Sequence, residues 1–509
     1  MRLFTKKTAL RATVLLGAAA LALTTAIQPS MADTTVVPAP NKQITNQSVG
    51  AQMFMWPFKS LKTECTKVLG PEHLDWIMVS PPQEDVTGNQ WWVHYQPVSY
   101  KLDSQLGTPQ EFADMVAACN TAGVQVVVDA VINHMANSSG KGFAGTSFSK
   151  YYYPGLYEPE EFHNGLDVTD PNYCEGNIDN YNDPFQIVHC ELGGLPDLTT
   201  EKEKTRDTIA AYLNHLIDLG VAGFRVDAAK HIGITDMTAI VNKLKPVNGQ
   251  KPYILSETVG DVTTNQPFTA IGDVFSWDWQ DQFSNIFSGQ TGLGRPSDSR
   301  KELIGDPNKT IIMVSNHDTE HHGPTAITYR DPKRYQAASA FLVSDALGKP
   351  MLYTGYAFGD ENDGPPAASN GYYKPAVCPK VSNVPSKKYK AGTFICMDRW
   401  TSVKGMIQWR HEVGTAEMTN ALSENQVLSF TRGTGFFAMN TNAAVAAKAT
   451  INTGLPAGVY CDVYTGGANA KKAGGKCVGT RVVVGADGTA KLSLPAMTVI
   501  AIDATNKTK

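Results

Sequence analysis

Four apolar runs, each ending in ionisable or amide side chains, constrain this chain more than anything else in it. They are Gln125–Val128 running into Asp129 and on to Asn133-His134, Val221–Val226 into Asp227-Ala228-Ala229-Lys230-His231, Pro252–Ser256 into Glu257, and Thr310–Val314 into Asn316-His317-Asp318. Each run is short and almost wholly apolar, as a strand buried on both faces must be. A single such ending has a plain explanation, since Arg225 and Asp227 make a buried structural ion pair on their own. Four endings of the same kind do not, because unrelated ion pairs have no reason to fall at one end of successive strands. A parallel barrel gathers side chains from its carboxyl strand ends around one pocket and requires this pattern.

Eight strand candidates alternate with helical stretches, namely residues 49–55, 74–79, 124–129, 221–226, 253–256, 273–276, 311–314 and 351–353. Helical periodicity falls on residues 112–122, 202–219 and 334–347. The expected fold class is therefore α/β, a (β/α)₈ barrel. The connection from 134 to 198 is too long to be a structureless loop and reads as a small inserted domain. After about Gly405 the pattern changes to short alternating runs, 427–430, 435–439, 458–463, 480–484 and 498–502, which predicts an all-β domain. The expected layout is 1–32 leader, 33–133 and 199–405 barrel, 134–198 insert, 406–509 β-sandwich.

The leader has its own signature. Arg2, Lys6, Lys7 and Arg11 precede the apolar residues 14–23, and Ser30-Met31-Ala32 offers a small-residue cleavage site, so a secretory signal peptide is expected, the alternative being an uncleaved anchor. Eight cysteines fit export and disulfide formation, although eight allow roughly a hundred pairings. None lies in a Cys-x-x-Cys pair, so zinc is not expected. A net charge of -4 leaves no electrostatic footprint for nucleic acid or an anionic membrane and favours a neutral ligand.

The four runs, in order, resemble the signature segments of the alpha-amylase family of glycoside hydrolases. The resemblance implies that Asp227 is the nucleophile, Glu257 the general acid and base, and Asp318 the carboxylate that steadies the oxocarbenium-like transition state. Arg225 would keep Asp227 ionised, since a neighbouring positive charge favours the anion. By the same resemblance His134 and His317 contact sugar beside the cleaved bond, and Lys230 and His231 lie on the leaving-group side. Trp91, Trp92, Tyr95 and Gln96 are expected to form further subsites, as suits flat aromatic faces opposite glucose rings, with a packed loop as the alternative. The family pattern also implies calcium, held by the side chains of Asn133 and Asp197 and the carbonyls of Val188 and His231, an all-oxygen set. The disulfides it implies pair Cys65 with Cys119, Cys174 with Cys190, Cys378 with Cys396, and Cys461 with Cys477. In the animal-type subgroup, which the segments 79–84 and 96–100 resemble, chloride is bound by two arginines and an asparagine. Arg225 and Asn316 match, but the third position falls in Gly348-Lys349-Pro350-Met351-Leu352 with no arginine, so chloride independence is expected. The subgroup's glycine-rich loop is shortened here to about His321-His322-Gly323.

The implied activity is endo-acting hydrolysis of α-1,4-glucosidic bonds with retention of configuration. Starch, glycogen and maltooligosaccharides are the substrates, and a secreted monomer is expected. Rival readings are a transglycosylase or isomerase on the same scaffold and a non-catalytic glycan-binding protein. All three carboxylates are present, which disfavours the last.

Overall fold

The computed structural model describes residues 39, 42–164, 168–288, 299–323, 326–380, 389–424 and 426–508; the expected signal peptide lies outside them. Eight parallel strands close into a barrel in which β1 (Gly50–Met53) pairs with β2 (Trp76–Val79) and with β8 (Lys349–Thr354). Between these run β3 (Gln125–Ala130), β4 (Gly223–Val226), β5 (Tyr253–Ser256), β6 (Asp273–Phe275) and β7 (Thr310–Ile312), each beside its neighbour in sequence order. All eight expected strands are present; the first, second and fourth are two or three residues shorter because the flanking residues leave the ladder, and the eighth is longer.

Strand parity decides which side chains enter the barrel, since successive side chains point to opposite faces. Trp76, Met78, Val127, Leu255, Phe275, Ile311, Met313 and Met351 pack together in the interior. Ile77, Val126, Val128, Phe224, Val226, Ile254 and Ile312 face outward into the layer shared with the helices. The same alternation turns Gln52, Asp129, Arg225, Asp227 and Glu257 inward at the carboxyl end. The helices form where local chemistry agrees. Pro109–Thr121 begins at Thr108, which makes a capping box with Glu111, and Pro332–Ser344 begins at Asp331, whose side chain accepts from Arg334 N. The third periodic stretch is the helix Glu203–Asp218.

The segment between β3 and Glu203 has a small core of its own, with Met135, Phe148, Tyr153, Tyr157, Phe162 and Leu198 buried together. It also holds a helix, Pro184–His189, capped by Asp183 and too short to have shown a period in the sequence. At the other end of the chain, residue 405 lies inside the helix Thr401–Val413, and strands begin only at Met418. A change of pattern at 405 therefore marks the last helix against the barrel rather than the start of the sheets. Two four-stranded antiparallel sheets follow. Phe436, Ile451, Tyr460, Val482, Leu492, Ile500 and Ile502 fill the space between them. Trp409 donates from Nε1 to the Ile502 carbonyl at 3.0 Å and ties that helix to the sheets. The four disulfides are Cys65–Cys119, Cys174–Cys190, Cys378–Cys396 and Cys461–Cys477, as expected. Among the described residues no helix is long and apolar enough to cross a membrane.

Candidate active site

Arg225 is the hub of the site. It sits opposite Asp129 in the β3/β4 register, wholly buried, and its Nη1 donates to Asp129 Oδ1 at 2.5 Å and to Asp227 Oδ1 at 2.7 Å. Its Nη2 pairs with Glu257 Oε1. The ion pair that a plain reading of the sequence offered for Arg225 and Asp227 thus exists, but as one arm of a fork that also holds the glutamate.

The backbone fixes the two carboxyl groups. Asp227 N donates to Ala130 O and Glu257 N to Val226 O, both at 3.0 Å, so the ladder continues one residue past the strands. Ala228 then takes a left-handed conformation, φ 49°, uncommon for a residue with a Cβ, and starts the short helix Ala229–Ile232. That turn aims the Ala228 N–H at Glu257 Oε2, 3.0 Å away. Beyond β7, Asn316 caps the helix His317–His322 by accepting from Thr319 N at 3.0 Å, which sets Asp318 in its first turn. Asp318 is the most open of the three carboxylates, with 40% of its side chain exposed.

Burial raises the pKa of Asp227, Glu257 and Asp318, and the Arg225 charge opposes the rise in each. Asp129 is pushed up to about 7 by burial, again against Arg225. One guanidinium cannot neutralise all of these carboxyl groups, and Asp129, the most buried of them, is the one whose shift reaches neutrality. Glu257 is raised by burial first and then by the negative charges of Asp227 and Asp318, so it holds its proton more tightly than a free glutamate.

The aromatic wall is built on the short helix Trp91–Tyr95. Trp91 is buried and donates from Nε1 to Glu361 O at 2.9 Å, while Trp92 stays 37% exposed. Tyr95 donates to Asp129 Oδ2 at 2.9 Å and stacks on His317 at 5.3 Å between centroids. Gln52 Nε2 lies 2.9 Å from His317 Nδ1; an amide N–H only donates, so the proton of this ring is on Nε2, toward Asp318 Oδ1 at 3.5 Å. Burial lowers the His317 pKa to about 3 and keeps it neutral. Gln96 accepts from Asn137 N at 3.2 Å.

Not every expected contact is free to meet a ligand. His134 is buried, with Nε2 donating to the Tyr95 carbonyl at 3.0 Å and Nδ1 3.4 Å from Asn133 Nδ2. It ties the Tyr95 helix to the segment that follows β3. Lys230 reaches the Val259 carbonyl at 3.0 Å. His231 donates from Nδ1 to Ile187 O at 2.8 Å, beside Val188.

The expected calcium ligands fall into two contacts, Asn133 with Asp197, whose Oδ2 also pairs with His163 Nδ1 at 2.6 Å, and His231 with the helix residue next to Val188. Asn133 and Asp197 side chains are 3.1 Å apart, and the His231–Ile187 bond brings the insert helix against the segment after β4. One carboxylate, one amide and main-chain carbonyls are hard oxygen donors, and the set fits calcium rather than a softer metal. Among the described residues no cluster of three or more His, Cys, Asp or Glu is arranged for a metal, and Asp197 is the one carboxylate of the expected set. For chloride, Asn316 caps its helix through Oδ1, and its Nδ2, the atom able to donate to an anion, donates to Asp318 Oδ2 at 3.3 Å. Lys349, the cation nearest in sequence to the missing arginine, begins β8 and pairs with Asp273 at the start of β6, 2.6 Å away and at the opposite mouth of the barrel.

Sequence reasoning missed Asp129 and Gln52 as parts of the site. Parity held the signal for both, since each shares the inward face of a strand whose neighbours are core residues.

Residues 76–270 match the model of the alpha amylase catalytic domain, and residues 420–505 that of the alpha amylase C-terminal all-beta domain. The chain is 39% identical over 445 residues to an alpha-amylase of Thermomonospora curvata, covering 83% of this chain and 68% of that protein. It is 35% identical over 458 residues to an alpha-amylase of Tenebrio molitor, covering 87% and 93%. It superposes on alpha-amylase I of Eisenia fetida, solved as a mutant with maltohexaose, with a TM-score of 0.80 at 29% identity over 92% of this chain and 99% of that one. With a catalytic barrel, a C-terminal all-β domain and relatives matched over most of their length, the chain belongs to the alpha-amylase family.

Proposed function

We infer that this protein hydrolyses internal α-1,4-glucosidic bonds of starch and related glucans with retention, and the observation that carries the reading is the Arg225 fork holding Asp227 and Glu257 together. Retaining enzymes place two carboxyl groups about 5–5.5 Å apart, close enough for one to attack the sugar directly. Asp227 Oδ1 is held by Arg225, which leaves Oδ2 to form a bond to the anomeric carbon. Glu257 gives its proton to the glycosidic oxygen as that bond breaks. Its Oε1 faces Arg225, so the transferred proton sits on Oε2, oriented by the Ala228 N–H. In the second step Glu257 takes a proton from water, which attacks the anomeric carbon and releases Asp227. His317, with its proton on Nε2, and Asp318 bind hydroxyls of the ring being distorted. Trp92, exposed beside Trp91, offers an apolar face to a neighbouring glucose.

Asn133, Asp197 and the carbonyl oxygens of Val188 and His231 would hold a calcium ion, whose contribution is to fasten the insert to the strand ends. The disulfides and the leader support secretion, and the small net charge of -4 supports action on a neutral polymer. Chloride is not required on this reading, because among the described residues no free cation stands beside Arg225 and Asn316 at the third position.

Incubating the protein with soluble starch and with maltoheptaose, and sizing the products over time, tests the reading. Rapid shortening of starch with α-anomeric products supports it. Longer oligosaccharides formed from maltoheptaose as the main product would favour the transglycosylase alternative. Asp227→Asn and Glu257→Gln should each lose several orders of magnitude in rate while remaining folded.

A further inference from the structure

The helix His317–His322, which carries His317 and Asp318 into the site, also carries a carboxyl group that the reaction does not use. Glu320 is 3% exposed, and its side chain lies against the segment that follows β8. A Cβ at Gly355, just past that strand, would come within 3.4 Å of Glu320 Oε2 and 2.5 Å of the Tyr353 hydroxyl, so the two polar groups face the same small space. Among the described residues neither atom completes a hydrogen bond. Arg330, the cation whose charge reaches Glu320, is engaged elsewhere. It donates from Nη1 to the main-chain carbonyl of Glu320 at 3.3 Å and lays its guanidinium 4.4 Å from the Phe358 ring and 5.1 Å from the Tyr329 ring.

A carboxyl group in such a place is stable as the neutral acid. Burial pushes its pKa up to about 8, against the opposing effects of the Tyr353 hydroxyl and the Arg330 charge. The other titratable groups around it supply no compensation. Tyr335 from the helix Pro332–Ser344, Tyr329 before that helix and Tyr356 beyond β8 feel its charge and are kept protonated by burial. On its own helix His321 is held neutral, its pKa lowered to about 4 by burial, and Asp318 is a second carboxyl group. Once the proton leaves, an uncompensated anion stands among aromatic rings, an arrangement that costs enough to move the side chain. Glu320 also lines, with Arg330 and Arg334, a cavity of about 710 Å³ beside the helix, where guanidinium groups are at hand. In a helix of six residues a shift at the fourth is carried to Asp318, the second.

We propose that Glu320 is a positioning residue for Asp318 and His317, which as the neutral acid keeps their helix seated against β8 and on ionising unseats it, setting an alkaline limit to hydrolysis. The proposal rests on the reading of the protein as a retaining glucan hydrolase. Glu257 also limits the alkaline side, since it must give a proton to the leaving oxygen. The test therefore uses α-maltotriosyl fluoride, whose fluoride leaves without that proton. Its kcat/KM reports the attack by Asp227, with Asp318 and His317 seated or not. Two variants are compared with the parent from about pH 6 to 10. Glu320→Gln keeps the shape of the neutral acid and cannot ionise, and Tyr353→Phe removes a hydroxyl that favours the anion.

The expected result is a fall of about tenfold in the parent between about pH 7 and 9, as one group near pH 8 loses its proton. Glu320→Gln should match the parent at neutrality and stay level across that range, and in Tyr353→Phe the fall should come at higher pH. Stability gives a second readout. Glu320 has a folded pKa above its ordinary value of 4.5, so its favourable contribution is whole below about 4.5 and is lost as pH rises through about 8. The melting temperature of Glu320→Gln relative to the parent should therefore climb between those limits. An identical alkaline fall in the parent and in Glu320→Gln would overturn the proposal, as would a parent that stays level to about pH 9. If Glu320→Gln does not fold, an unmoved fall in Tyr353→Phe overturns it. A parent inert toward the fluoride at neutrality, with melting temperatures that still follow Glu320, would instead refute the hydrolase reading.

Discussion

Replacing Arg225 by Met removes a buried cation bonded to Asp129, Asp227 and Glu257 while keeping a side chain of similar reach. Breaking a buried ion pair by deleting one partner costs about 3–5 kcal/mol, because the other charge is left without compensation. Here three carboxyl groups lose the same partner, and they answer by holding protons more tightly. Their folded pKa values, already raised, move further above the unfolded values near 4. The native state then binds protons that the unfolded chain has released, so stability falls as pH rises between the unfolded and folded values. For Asp129 that window already reaches about 7 with Arg225 present. The loss of melting temperature in Arg225→Met should therefore be small near about pH 4 and grow toward neutrality. Catalysis reports the same shift, since Asp227 attacks only as the anion. Losing roughly 1.4–3 kcal/mol of charge stabilisation moves the acid limb of kcat/KM up by about one to two pH units. Calorimetry and initial rates on maltopentaose across this range would check both. A decrement in melting temperature independent of pH, with the acid limb unmoved, would refute the reasoning.

Asp129→Asn removes a carboxyl group whose folded pKa lies above its unfolded value, so it should flatten the fall of stability between about pH 4 and 7; a thermal profile parallel to the parent's would contradict this. Exhaustive chelation should lower the melting temperature and calcium should restore it, because an ion bound only by the native state stabilises it by mass action. Asp197→Asn should abolish that calcium-dependent shift, and an unchanged melting temperature under chelation would contradict the assignment. Starch hydrolysis in chloride-free buffer should run at nearly the rate seen with chloride. A several-fold, saturable activation by chloride but not by an inert salt would mean that another cation completes the site.

The barrel was legible because its strands are short apolar runs with carboxylates at one end, and that pattern has few other physical causes. Asp227, Glu257 and Asp318 stood out for the same reason. Asp129 was written in the sequence as clearly as Asp227 but counted only as the end of a run, and its role required knowing that β3 lies beside β4. The bracing of His134 could not be read, because its partner is the carbonyl of Tyr95, 39 residues away, and a backbone oxygen leaves no trace in composition. The last helix was missed for a related reason: Thr401–Val413 mixes apolar and polar residues, and Gly405 within it looks like a break. That glycine is needed for contact, since a Cβ at 405 would lie 2.0 Å from the carbonyl oxygen of Val463.

The central claim is that Asp227 forms a covalent bond to the sugar. Incubating the protein with a fluorinated maltosyl fluoride that slows release of the intermediate, then digesting and measuring peptide masses, tests it directly. The account predicts one added glycosyl mass on the peptide carrying Asp227, and no label in Asp227→Asn. Label on Glu257 or Asp318, or an intact protein with no added mass while the reagent is turned over to the inverted sugar, would contradict it.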